Sequence, residues 1–132
     1  MDSVEDENPS VPFEEIDLNG LKDIAFDAFG RVVFSELSRE DQELTDISFV
    51  ASFPSVSKVN LAKNHVEDLS PLQHLESLKY LNISHNAVSD LGSLGVPLLL
   101  QELNASNNAL KSLSPNVPHM ESLRQLSLEN NA

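Results

Sequence analysis

Four histidines, His65, His74, His85 and His119, are the residues in this chain best suited to chemistry. An imidazole serves as a base or a metal ligand only with a second group at fixed spacing. No H-x-x-x-H or H-x-x-E pattern joins any of the four. The sequence has no cysteine, which removes thiolate nucleophiles, thiolate metal sites and disulfides. A hydroxyl nucleophile needs a base in reach and an oxyanion donor, and no such set is spelled out. Gly20, Gly30, Gly92 and Gly95 form no phosphate-cradling loop. The acidic pairs Glu14-Glu15 and Glu67-Asp68 read as solvated charge. Two sequons, Asn82-Ile83-Ser84 and Asn104-Ala105-Ser106, fall inside expected strands and read as chance matches. No catalytic residue, metal site or cofactor is expected.

Composition points the same way. The 132 residues are 40% hydrophobic, enough for one packed core. Eight basic against 21 acidic residues give a formal charge of −13. That balance excludes a phosphate grip on nucleic acid and attraction to an anionic membrane. No apolar run approaches the length of a membrane span, and the N-terminus has no basic or apolar signal region. A soluble protein of a reducing, cytoplasmic compartment is expected. The charge is uneven: residues 1–53 hold 14 acids and 3 bases, residues 54–132 hold 7 acids and 5 bases. Residues 1–17 carry seven acids, no base and two prolines, and are expected to be a disordered acidic tail.

The histidines fall at four different phases of a repeat, and that repeat sets the elements. Asn64, Asn86, Asn108 and Asn131 lie 22, 22 and 23 residues apart, each closing one pattern. The four copies are Val56-x-x-Val59-x-Leu61-x-x-Asn64, Leu78-x-x-Leu81-x-Ile83-x-x-Asn86, Leu100-x-x-Leu103-x-Ala105-x-x-Asn108 and Leu123-x-x-Leu126-x-Leu128-x-x-Asn131. Their spacing and period resemble leucine-rich repeats of the 22-residue subclass. The register continues through Val66, Leu69, Leu72 and Leu75, then through Val88, Leu91, Leu94 and Pro97. Counting back, Leu44, Ile47, Val50 and Phe53 occupy the same phases. Phe34 to Val56 therefore reads as a degenerate first repeat, with Arg39 at an apolar position and Gln42 in place of asparagine. The longer last spacing implies one extra residue near Pro115 to Met120.

This resemblance implies an α/β solenoid. Short parallel strands form its concave face, helical or 3-10 turns its convex face, and the leucines point into a shared core. The asparagines should form a ladder satisfying the turn that follows each strand. Ser70-Pro71 and Ser114-Pro115 read as serine N-caps followed by proline at the first helical position. Residues 18–33 are expected to form an N-terminal helical cap. Asn19 caps it, Leu21, Ile24, Ala25, Ala28 and Phe29 have helical spacing, and Gly30 ends it. The array is then residues 34–132, about five repeats. Leu126 and Leu128 lack a covering repeat, so the array is expected to be truncated or covered by a partner.

What remains for function is the concave surface. The column before the second leucine reads Glu36, Lys58, Tyr80, Glu102, Gln125. The column between the second and third leucines reads Ser38, Asn60, Asn82, Asn104, Ser127. The column before the asparagine reads Asp41, Lys63, His85, Asn107, Asn130. The middle column is short and polar, offering amide donors and acceptors to a helix or strand laid across it. Tyr80, the only tyrosine, sits centrally beside Lys58, Lys63 and His85, the composition of a binding hot spot. The candidate protein-binding residues are Lys58, Asn60, Lys63, Tyr80, Asn82, His85, Glu102, Asn104, Asn107 and Gln125, with an acidic partner segment favoured. Leu98-Leu99 lies outside the buried register.

A closer likeness covers residues 34–90. Glu43-Leu44-Thr45-Asp46-Ile47 and Asn64-His65-Val66-Glu67-Asp68-Leu69-Ser70-Pro71-Leu72 resemble the radial-spoke leucine-rich-repeat family of motile cilia and flagella. That family also carries an acidic region before its first repeat. This chain is shorter and lacks the later repeats, and the shared positions are scaffold. The likeness implies a non-catalytic radial-spoke component of the axoneme that binds other spoke proteins. The 22-residue subclass also includes regulators of cytosolic phosphatases, which makes a phosphatase- or kinase-regulatory subunit the alternative.

Overall fold

The repeat period is realised as one parallel sheet. A computed structural model describes residues 35–132, together with the backbone of 21–22, 25–26 and 32–33. Eight short strands occur there in chain order: β1 (Leu21–Lys22), β2 (Ala25–Phe26), β3 (Val32–Val33), β4 (Glu36–Ser38), β5 (Lys58–Asn60), β6 (Tyr80–Asn82), β7 (Glu102–Asn104) and β8 (Gln125–Ser127). Strands β4 to β8 pair in parallel with sequential neighbours, one strand per repeat. Their register aligns Leu37, Val59, Leu81, Leu103 and Leu126 in one column. Each strand is three residues long, so its single inward side chain is too little apolar surface to stand alone. Stacking is what buries it.

The core follows the repeat phases. Val56, Leu78 and Leu100 enter each strand, and Leu61, Ile83 and Ala105 leave it; all are buried. Ile47, Leu69 and Leu91, then Val50, Leu72, Leu94 and Val117, fill the convex half. That half is built of 3-10 turns at Ser48–Ser52, Ser70–His74, Leu91–Leu94 and Val117–His119. Such tight turns suit a 22-residue repeat, which has no chain to spare for a longer helix. At the far end Leu123, Leu126 and Leu128 are partly buried against the core. Arg39 keeps its apolar-phase position and is buried. Its guanidinium carbon lies 5.7 Å from the centroid of the Phe49 ring, and its methylene stem suits the core slot.

The asparagine ladder is a clamp between repeats. Asn86 Nδ2 donates to the carbonyls of Ile83 and Ser84 in its own turn and of Leu61 in the preceding repeat. Its Oδ1 accepts the Val66 N–H, again of the preceding repeat. Asn64, Asn108 and Asn131 repeat the arrangement. Where Gln42 replaces asparagine, the Gln42 N–H donates to Asn64 Oδ1.

Two expectations need correction. The serines do not cap the turns. Leu69 precedes the Ser70–His74 turn without a side-chain cap, and Asp68 accepts the Ser70 N–H at 2.9 Å. Asp46 and Asp90 do the same for Ser48 and Gly92, so an aspartate column four residues past the asparagine phase holds the convex turns. A carboxylate outcompetes a hydroxyl as acceptor for a backbone N–H.

The extra residue of the last spacing lies earlier than expected. Leu110 is buried in phase, Leu113 is 51% exposed, and Ser114 is buried in its place. Ser114 Oγ accepts the Leu91 N–H and donates to Asp90, which lets a polar group occupy a core phase.

The helical cap expected over 18–33 falls largely outside the described residues. At the three described pairs the backbone is strand: β1 lies antiparallel beside β4, and β2 pairs with β3. An open sheet edge offers unpaired N–H and C=O groups, which a strand satisfies and a helix does not. The acidic tail expected over 1–17 lies wholly outside the described residues.

Candidate protein-binding face

The strand register carries two of the three expected columns onto one face. Glu36, Lys58, Tyr80, Glu102 and Gln125 are aligned neighbours, as are Ser38, Asn60, Asn82, Asn104 and Ser127. An open groove of about 260 Å³ runs across β5 to β8 between them. Seven of the ten expected residues line it: Lys58, Asn60, Tyr80, Asn82, Glu102, Asn104 and Gln125. Ser127 lines it as well.

The middle column is more constrained than its composition suggests. Asn60, Asn82 and Asn104 each accept, through Oδ1, the N–H two residues on, at 3.0, 3.0 and 3.1 Å. These Asx turns start the bend out of each strand. Each amide oxygen is therefore engaged in the scaffold through at least one lone pair, which leaves the NH₂ groups as the column's main donors. Asn60 Nδ2 already donates to Glu40. The donor row is repeated at the strand spacing of roughly 4.8 Å.

Lys63, His85 and Asn107 do not line the groove; they sit in the turn beyond it. Their φ values are 61°, 56° and 58°, and Asp41 and Asn130 in the same column are also left-handed. Asparagine and aspartate tolerate that conformation, whereas lysine and histidine carry a cost of about 1–2 kcal/mol each. The column is thus set first by the turn. All four histidines are exposed, and among the described residues no three His, Asp or Glu side chains gather as a metal site.

The positive charge beside Tyr80 is largely answered within the chain. Lys58 Nζ lies 3.5 Å from Glu36 and Lys63 Nζ lies 3.8 Å from Glu40. An acidic partner would have to compete with these carboxylates for the two lysines. Tyr80 itself is half-buried, and its hydroxyl donates to Gln101 Oε1 at 3.4 Å. The ring is held from one end and presents its other side to the groove.

Architecture and clamp define the class: the described residues form a solenoid of stacked strand-and-turn repeats, similar to leucine-rich repeats. A family model described as leucine-rich repeats (two copies) matches residues 54–96. Among solved structures, an internalin from Listeria monocytogenes is similar, at 28% identity and a TM-score of 0.68. The alignment covers 72% of this chain and 28% of that one. A search of curated proteins returns no match. Proteins of this architecture generally act as protein–protein interaction scaffolds, using the extended concave surface. The radial-spoke likeness gains no support from these comparisons. Its two segments are scaffold: Leu44 packs on the core, Ile47, Leu69 and Leu72 are buried in it, Asn64 clamps, and Asp46 and Asp68 hold turns.

Proposed function

We propose that the chain is a non-catalytic scaffold that receives a protein partner across β5 to β8. One observation carries this reading: an open groove that runs along registered columns of polar side chains and takes in a single held aromatic. The buried positions serve stacking, and the groove residues are the ones left over from it. Tyr80 supplies rigid apolar area, and Asn82 and Asn104 supply oriented NH₂ donors. A partner that presents carbonyl or side-chain acceptors along an extended segment complements such a surface.

The test uses residues 1–132 as bait and the partner that they capture. Tyr80→Ala weakens capture about tenfold or more, the scale of a hot-spot loss. Asn82→Asp with Asn104→Asp keeps the turn acceptors, replaces the donors with carboxylates, and also weakens capture. The urea midpoint stays near the wild-type value in both variants. Leu81→Ala, at a buried site, instead lowers stability by about 2–5 kcal/mol. Capture unchanged by the groove substitutions overturns the proposal.

The axonemal radial-spoke role is the narrower form of this reading and rests on sequence likeness alone. A phosphatase- or kinase-regulatory role uses the same face. Localisation to the axoneme supports the first, and a co-purifying enzyme whose rate changes on adding the chain supports the second.

A further inference from the structure

The segment between the Leu91–Leu94 turn and β7 departs from its counterparts in the other repeats. Leu98-Leu99 stands where those read Pro54-Ser55, Glu76-Ser77 and Glu121-Ser122. Val96, Leu98 and Leu99 are 42%, 56% and 46% exposed, although buried positions lie on either side of them. The ridge they form is held from both neighbouring repeats. Gln73 Nε2 donates to the Ser93 carbonyl, and Asn116 Nδ2 donates to the Gly95 carbonyl. Gly95 itself has φ 72° and ψ −146°, a backbone region open essentially to glycine. The fold thus fixes apolar side chains in solvent, and exposed apolar surfaces of this kind mark association sites.

Beside the ridge lies a hollow of about 470 Å³ that shares no lining residue with the groove across β5 to β8. Buried Leu75 and Leu94 line it from the core, and the ridge supplies a further apolar wall. The preceding repeat supplies Gln73 and Glu76, and Glu76 is the only charged residue in the lining. Its carboxylate has no hydrogen-bond or ion-pair partner among the described residues. Gln73, its amide nitrogen given to Ser93, keeps an oxygen acceptor in the same lining.

We propose that the hollow receives a segment of a different protein, in which an aliphatic side chain packs on Leu98 and Leu99 and an adjacent lysine or arginine reaches Glu76. An apolar wall beside an unanswered carboxylate is complemented by an apolar residue beside a cation. The formal charge of −13 adds long-range attraction for a basic partner. The same charge opposes a second copy of this chain, and the phosphates of a nucleic acid or an anionic membrane would meet Glu76 with like charge. The leucines alone would accept any apolar partner; Glu76 selects the basic one.

Short end-capped peptides titrated into the isotope-labelled full chain, with amide shifts read by NMR, test the proposal. The probes alternate leucine with arginine, leucine with glutamate, or serine with arginine. The leucine–arginine peptide alone saturates, and its shifts gather at Gln73 to Glu76 and at Gly95 to Leu100. Glu76→Gln, at an exposed site, weakens that binding about tenfold and removes most of its salt dependence. Leu98→Ser with Leu99→Ser weakens it by a similar factor. Tyr80→Ala leaves it unchanged, which separates the hollow from the groove. Shifts confined to acidic segments elsewhere, equal binding of the glutamate or serine probe, or a Glu76→Gln chain that binds as the wild type does each overturn the proposal. So does a chain that dimerises through Leu98 in place of binding the peptide.

Discussion

Removing one rung of the asparagine clamp is the sharpest test of what holds the array together. In Asn86→Ala three carbonyls, of Leu61, Ile83 and Ser84, lose a donor, and the Val66 N–H loses its acceptor. Two amide protons serve those three carbonyls, so the loss amounts to about three full hydrogen bonds. At about 1 kcal/mol net for each, with part of the backbone left unsatisfied, the cost is about 2–4 kcal/mol. Asn86→Asp is the informative control. It retains an acceptor for Val66 but sets a carboxylate against three carbonyl oxygens, so it costs at least as much as alanine. Urea unfolding followed by circular dichroism and by Tyr80 fluorescence gives both values, and coincident transitions license the two-state treatment. A loss below about 1 kcal/mol for alanine, or wild-type stability for aspartate, refutes the clamp as the main tie between repeats.

Two further outcomes follow from the convex side. Gly95→Ala destabilises by about 1–3 kcal/mol in the same assay, because alanine is strained at that backbone conformation. Its added Cβ would also meet Gln73 side-chain carbons at 3.3 Å. The carboxyl of Asp90 is held below the ordinary aspartate value of 3.8, first by the Ser114 hydroxyl and then by the Gly92 N–H. A depressed native value means that this group's stabilisation is complete above the ordinary value and is lost as pH falls through the native one. Asp90→Asn therefore flattens the acid limb of the stability profile below about pH 4, and an unchanged limb refutes the assignment.

The array was legible in the sequence because the same residue meets the same environment in every repeat. A leucine at one phase is ambiguous, but Leu37, Val59, Leu81, Leu103 and Leu126 in one column admit only a stacked strand. The aspartates at 46, 68 and 90 carry the same periodic signal, but a serine before a proline resembles a cap more than an aspartate two residues earlier does. The slip before Ser114 was hidden for a different reason. Leu113 is apolar and in phase by counting, and only the buried partners of the Ser114 hydroxyl make the polar residue the better fit.

The binding face was less legible, since side-chain identity does not say which atom is already spent. Asn82 and Asn104 read as two-sided hydrogen-bonding residues until their oxygens are seen closing Asx turns. Lys58 and Lys63 read as free cations until register brings Glu36 and Glu40, one repeat away, within 4 Å. In both cases a contact some twenty residues off in sequence, or a turn fixed by backbone geometry, decides what reaches a partner. The same logic bears on Lys63 and His85. Asparagine at Asn107 and Asn130 shows what the left-handed turn itself prefers, so the two departures carry strain that the fold does not require. They adjoin the groove on the side of β5 and β6, where Tyr80 lies. The strain at Lys63 and His85, absent from the same column at Asn107 and Asn130, thus falls beside the central aromatic, at the second and third strands of the parallel sheet.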